Sequence, residues 1–156
     1  MRGDVELSGD VLFRGMIGGL IAGISKYVID LILFSLRIIN VGYWDFAALV
    51  AFNRDPQNLI ELISASILEL TFCIFWGVIF CLLVNKLKTR HQLIFGIFYG
   101  SLIWFFIKAA ILAFNITKMM PPDQTTITPL ITWGLSMVFG LLLAIFNRRF
   151  ETKARL

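Results

Sequence analysis

The chain has 156 residues, of which 58% are hydrophobic and only 15% charged, and its mean hydropathy is +0.84. Soluble domains are about 45–50% apolar and about 25% charged, so a soluble globular class is excluded and a single small membrane domain over 1–156 is expected. The net charge of +4 does not point to nucleic acid: the basic residues flank apolar segments, where anionic lipids at the cytoplasmic face are the natural partner.

Residues 1–14 are mixed and mildly acidic, and are expected to be a cytoplasmic tail. The first span is predicted over about 15–36. It is too long for a signal peptide and lacks a small-residue cleavage site. Residues 40–58 form a connector whose apolar run is too short to cross a bilayer, which predicts a short interfacial or re-entrant helix. Within it, Tyr43 and Trp44 suit the aromatic belt of a membrane surface. Asp55-Pro56 closes the connector, because the residue before proline disfavours helix.

The second span is predicted over about 59–84, followed by a strongly basic loop at 85–92. The third span covers about 93–114. A connector with the pair Pro121-Pro122 then leads to a fourth span over about 129–146, which is free of charge, and to a basic tail at 147–156. Strands are excluded because the runs exceed strand length and an open sheet would leave backbone groups unsatisfied in lipid. The fold class is therefore an all-α, four-helix membrane bundle.

Lysine and arginine fix the expected orientation. Arg2, Arg14, Lys86, Lys88, Arg90, Arg148, Arg149, Lys153 and Arg155 fall on one side, and Arg37, Arg54 and Lys118 on the other. The positive-inside rule puts both termini and the 85–92 loop in the cytoplasm.

Four charges lie inside the spans: Lys26, Asp30, Glu69 and Lys108. At 1.5 Å per residue, they sit roughly 18–24 Å from the cytoplasmic end of their spans, in one layer that permits pairing between helices. Helical phase puts Gly15, Gly19, Gly23, Lys26, Asp30 and Arg37 on one arc of the first span. Ala65, Glu69, Cys73 and Gly77 recur on the second. Gly100, Ser101, Trp104, Lys108 and Asn115 recur on the third. Glycines at this spacing, including Gly96 with Gly100, are helix-packing positions. All three stripes are expected to meet in the interior.

Each charge also has a structural reading. Lys26 and Asp30 are an i,i+4 pair that can neutralise itself. Lys108 can snorkel to the surface or stack on Trp104 one turn away. Glu61 reads as a solvated edge charge. Glu69 has no such outlet: its side chain is short, and a charge at that depth needs a cation, a proton or water.

Cys73 and Cys81 are about 12 Å apart on one helix, too far for a disulfide. Asn115-Ile116-Thr117 fits a glycosylation pattern but touches the membrane. His91 is the only histidine and reads as a loop residue. With no paired cytoplasmic carboxylates and no phosphate-binding glycine loop, neither an enzyme site, a cofactor nor a metal is expected.

GMIGGLIAGISK (15–26), FGIFYGSLIWF (95–105) and the proline-containing loop before the last span give a layout that resembles small bacterial membrane proteins of the YagU and YqhR types. The resemblance implies a bacterial inner-membrane location and carries no activity or site residue with it. Three readings remain: a small transport or channel-like protein, expected to work as a homo-oligomer; a non-transporting accessory protein whose charges fix helix packing; and a membrane-bound sensor or regulator with a basic tail.

Overall fold

The computed structural model describes residues 2–87, 91–113 and 127–153, and among these all regular structure is helical. Five helices follow one another: α1 (Arg2–Ser35), α2 (Tyr43–Phe52), α3 (Leu59–Leu87), α4 (Gln92–Ala113) and α5 (Ile127–Lys153). Four of them, all but α2, are long and apolar enough to cross a membrane. The expected tails are themselves largely helical. α1 begins well before residue 15 and α5 runs on past residue 146, with Val11 and Asn147 both buried. Lys88, Arg90, Asn115-Ile116-Thr117, Lys118, Pro121-Pro122 and Arg155 lie outside the described residues.

The helix ends have local causes. α1 stops where Arg37 turns left-handed (φ 57°). The Arg37 N–H then donates to the Phe34 carbonyl at 2.9 Å, and Ile38 N–H to Leu33 at 3.0 Å, the pattern of a Schellman cap. α2 ends on left-handed Asn53, a residue that tolerates this conformation. α3 starts on Asn58, whose Oδ1 accepts the Glu61 N–H at 2.9 Å, an N-cap bond. Glu61 lies at the exposed edge expected of it and is paired there: it takes two hydrogen bonds from Arg54, at 2.7 and 2.8 Å, and one from the Gln57 N–H at 2.9 Å.

The four long helices form two close antiparallel pairs. In the first, α1 lies on α3. A Cβ on Gly15 would come within 2.6 Å of the Val78 Cα, and one on Gly19 within 2.6 Å of the Cys73 carbonyl oxygen. In the second, α4 lies on α5. A Cβ on Gly100 would run into the Ser136 backbone, and one on Gly140 into that of Gly96. Small residues permit this approach, and dispersion between close backbones holds such pairs in lipid. α1 also packs along α5 and α2 packs on α3, while α3 and α4 meet through large side chains: Trp76 and Phe80 lie against Phe95, Tyr99 and Phe106, and the Tyr99 hydroxyl donates to the Trp76 carbonyl at 2.8 Å. In the α4 stripe Gly100 and Trp104 meet α5, so this stripe does not lie directly on the charged faces of α1 and α3 as expected.

Two halves differ in character. The end that carries the start of α1 and the end of α5, here the terminal end, has a largely apolar core around Phe80, Val84, Tyr99, Phe139 and Leu143, with Asn147 buried against it. The opposite half, toward α2 and called here the connector end, holds the buried polar side chains Lys26, Asp30, Glu69, Thr132 and Ser136. Large apolar side chains such as Ile32, Phe75, Phe98 and Phe106 point outward.

Candidate functional site

The polar side chains of the connector half form one connected cluster. The Lys26 ammonium on α1 donates to Glu69 Oε1 on α3 at 2.5 Å, and both side chains are buried. The pair continues the register of the glycine contacts: Gly19 lies against Cys73 and Ile74, Gly23 against Cys73 and Leu70, and one turn beyond them Lys26 meets Glu69. Next to it the Tyr27 and Ser66 hydroxyls are 3.0 Å apart. Lys26 thus pairs across helices, as the shared layer of charges permits, and not with Asp30, its i,i+4 neighbour.

Asp30 has another task. It is completely buried, and its Oδ2 accepts the Tyr43 N–H at the start of α2 at 2.9 Å. Asp45 Oδ2 accepts the preceding Gly42 N–H at 2.8 Å. Two carboxylates therefore cap orphan donors at the positive end of α2. Gly42 is needed here, because a Cβ would run into the Trp44 ring.

Tyr43 is the hub that sequence reasoning missed. Its placement in a surface belt is wrong, and so is that of Trp44: both are buried, at 8% and 4% exposure. The Lys26 ammonium sits 3.4 Å from the Tyr43 ring centroid, a desolvated cation–π contact. The Tyr43 hydroxyl donates to the Thr132 carbonyl at 2.8 Å and lies 2.6 Å from the Ser136 hydroxyl, both on α5. Trp104 on α4 then donates to Thr132 Oγ1 at 3.2 Å. The chain Glu69–Lys26–Tyr43–Ser136/Thr132–Trp104 ties α3, α1, α2, α5 and α4 together. The α5 half was visible in sequence as Thr132, Ser136, Gly140 and Ala144, a small residue every fourth position.

Lys108 stands apart. Its ammonium is 5.1 Å from the Phe46 ring centroid and 5.8 Å from that of Trp104, so the predicted contact with Trp104 forms. Among the described residues no ion pair involves it. Arg37 lies past the end of α1 and is exposed, so it leaves the packing arc to which helical phase assigned it.

The electrostatic balance of the cluster is unequal. One ammonium faces two carboxyl groups, and each carboxyl keeps one buried oxygen without a partner, Asp30 Oδ1 and Glu69 Oε2. Unpaired charge in a low-dielectric interior costs several kcal/mol per ion, about 3–5 kcal/mol when a partner is lost. Ionised together, the three groups carry one negative charge too many, which a proton or small cation would offset. Among the described residues no group of three or more His, Cys, Asp and Glu gathers as metal ligands would.

No protein-family model, curated protein or solved structure matches the chain.

Proposed function

We propose that this is a small multi-pass transport or channel-like protein in which Asp30 and Glu69, arranged around Lys26, hold an exchangeable proton or small cation. The observation that carries this reading is the pair of buried, partnerless carboxyl oxygens, Asp30 Oδ1 and Glu69 Oε2. Ionisable groups at membrane depth mark ion and proton pathways.

The reading sets the bundle in a bacterial inner membrane with both termini and the terminal end in the cytoplasm. The distribution of lysine and arginine supports this orientation. Support for anionic lipid as a partner comes from a recess of about 260 Å³ at the terminal end, lined by Leu93, Ile145, Arg148 and Arg149. The cluster would be reached from the connector end. In a single copy the terminal half is filled by Phe80, Val84 and Leu143, so passage to the cytoplasm requires the α1/α3 and α4/α5 pairs to part, or a homo-oligomer to supply the path.

Reconstitution into proteoliposomes tests it. A pH-dependent ion flux is expected for the native chain, lost in Glu69→Gln and retained in Lys108→Met. Absence of flux for protons and for every small cation tried would refute the transport reading.

A second reading has its own support. The Lys26–Glu69 pair sits in the same register as the glycine contacts of α1 and α3, as expected of a non-transporting protein whose charges fix helix packing. That reading predicts lost stability and no flux.

A further inference from the structure

At the connector end a recess of about 630 Å³ opens between α1, α2 and the segment leading into α3. That volume lies within the range of small-molecule sites, about 300–1,000 Å³. One wall is aromatic. Tyr27 and Phe34 stand edge-on to Trp44, with ring centroids 5.6 and 5.3 Å away. The lining also includes Asp45 and Asp55, and no lysine, arginine or histidine.

The nearest loop cation does not offset these acids. The Arg54 guanidinium is held by both Glu61 oxygens, and Glu61 does not line the recess. Asp55 is exposed, and among the described residues its carboxylate takes no hydrogen bond or ion pair. Burial pushes the Asp45 carboxyl up to about 6, opposed by the Gly42 N–H and reinforced by the negative charges of Asp55, Asp30 and Glu69. A bound positive charge would relieve that strain on its ionised form.

We propose that this recess binds a small organic cation, an alkyl- or arylammonium, with its charge at Asp45 and Asp55 and its apolar body against Tyr27 and Phe34. The combination selects the class. Aromatic faces attract cations through their quadrupole, and uncompensated carboxylates repel anions. A bare metal ion would leave both the volume and the aromatic wall unused. The site adjoins the Lys26–Glu69 cluster through Tyr27 and Asp45 but does not depend on that cluster moving a proton.

The test uses the full chain in nanodiscs of zwitterionic lipid, titrated calorimetrically with benzyltrimethylammonium and, in parallel, with benzenesulfonate. Saturable binding of the cation and none of the anion is expected. Asp55→Asn, in an exposed loop, should weaken cation binding by about tenfold, and Asp45→Asn, which keeps an oxygen for the Gly42 N–H, by at least as much. Asp10→Asn, exposed on the N-terminal half of α1, should leave binding unchanged. The proposal is overturned if the cation fails to saturate, if the anion binds equally well, or if Asp55→Asn binds the cation like the native chain. Should Asp45→Asn not fold, the cation–anion comparison and Asp55→Asn still decide.

Discussion

Lys26 on α1 and Glu69 on α3 form a buried ion pair of 2.5 Å, and the same ammonium lies 3.4 Å from the centre of the Tyr43 ring. This single cation serves two carboxyl groups, because Asp30 adds to its field from one turn along α1. The asymmetry makes the three groups unequal. Removing Lys26 leaves two carboxyls with no cation, whereas removing the Glu69 charge leaves Lys26 and Asp30 balanced. Lys26→Met should therefore lower stability by about 3–5 kcal/mol, and Glu69→Gln by clearly less. Unfolding of the purified variants in mixed micelles checks the order; equal losses would argue against the charge count. Combining Lys26→Met with Glu69→Gln should recover part of the loss, and strict additivity would mean the two do not interact.

The glycines divide into two kinds with opposite expected signs. A Cβ at Gly100 meets the Ser136 backbone, while at Gly134 nothing lies within 4 Å. Gly100→Ala should force α4 off α5 and cost about 1–3 kcal/mol. Gly134→Ala should gain about 0.5–1 kcal/mol from helix propensity alone. Thermal unfolding of the two variants side by side reads the signs directly.

Arg37 holds a left-handed conformation at the end of α1 that costs a side-chain-bearing residue about 1–2 kcal/mol. Its side chain is exposed. Arg37→Gly should stabilise the chain by about 1 kcal/mol, after the extra freedom of glycine in the unfolded state is subtracted. A destabilised variant would show that the Arg37 side chain has a role beyond the cap.

Asp45 provides a pH dependence outside the spanning helices. Its carboxyl is raised from 3.8 to about 6, chiefly by burial, so the folded chain holds this proton more tightly than the unfolded one. The contribution to stability is then fully present below the ordinary value and is lost as pH rises through about 6. Asp45→Asn, which cannot ionise, should flatten that part of the stability–pH curve. An unchanged slope in the variant would assign it to other groups.

Much of this arrangement is legible in the chain, and the limits have physical causes. Four long apolar runs foretell the four helices that are long and apolar enough to cross a membrane. Gly15, Gly19, Gly23 and Lys26, and likewise Ala65, Glu69, Cys73 and Gly77, mark true packing faces, since small and charged residues avoid lipid. Periodicity along one helix does not say which helix lies opposite or in what register. The Lys26–Glu69 pairing, and the docking of the α4 stripe on α5 instead of α1 and α3, are therefore invisible to it. Tyr43 was misread because an aromatic near a span end is at home in a membrane interface; only the fold-back of α2 after Gly42 carries it inside. The small-residue stripe of α5 was overlooked because that helix has no buried charge to draw attention to it.

The central claim is that Asp30 and Glu69 hold an exchangeable proton or cation beside Lys26. Infrared difference spectroscopy of the reconstituted protein, recorded across pH and with and without sodium or potassium, tests it most directly. A carboxyl band that responds to pH or to the cation, and that disappears in Asp30→Asn or Glu69→Gln, is the predicted result. A carboxyl response that is the same in the native chain, in Asp30→Asn and in Glu69→Gln, and so belongs to other groups such as Asp45, would contradict the account and leave the cluster a lock between helices.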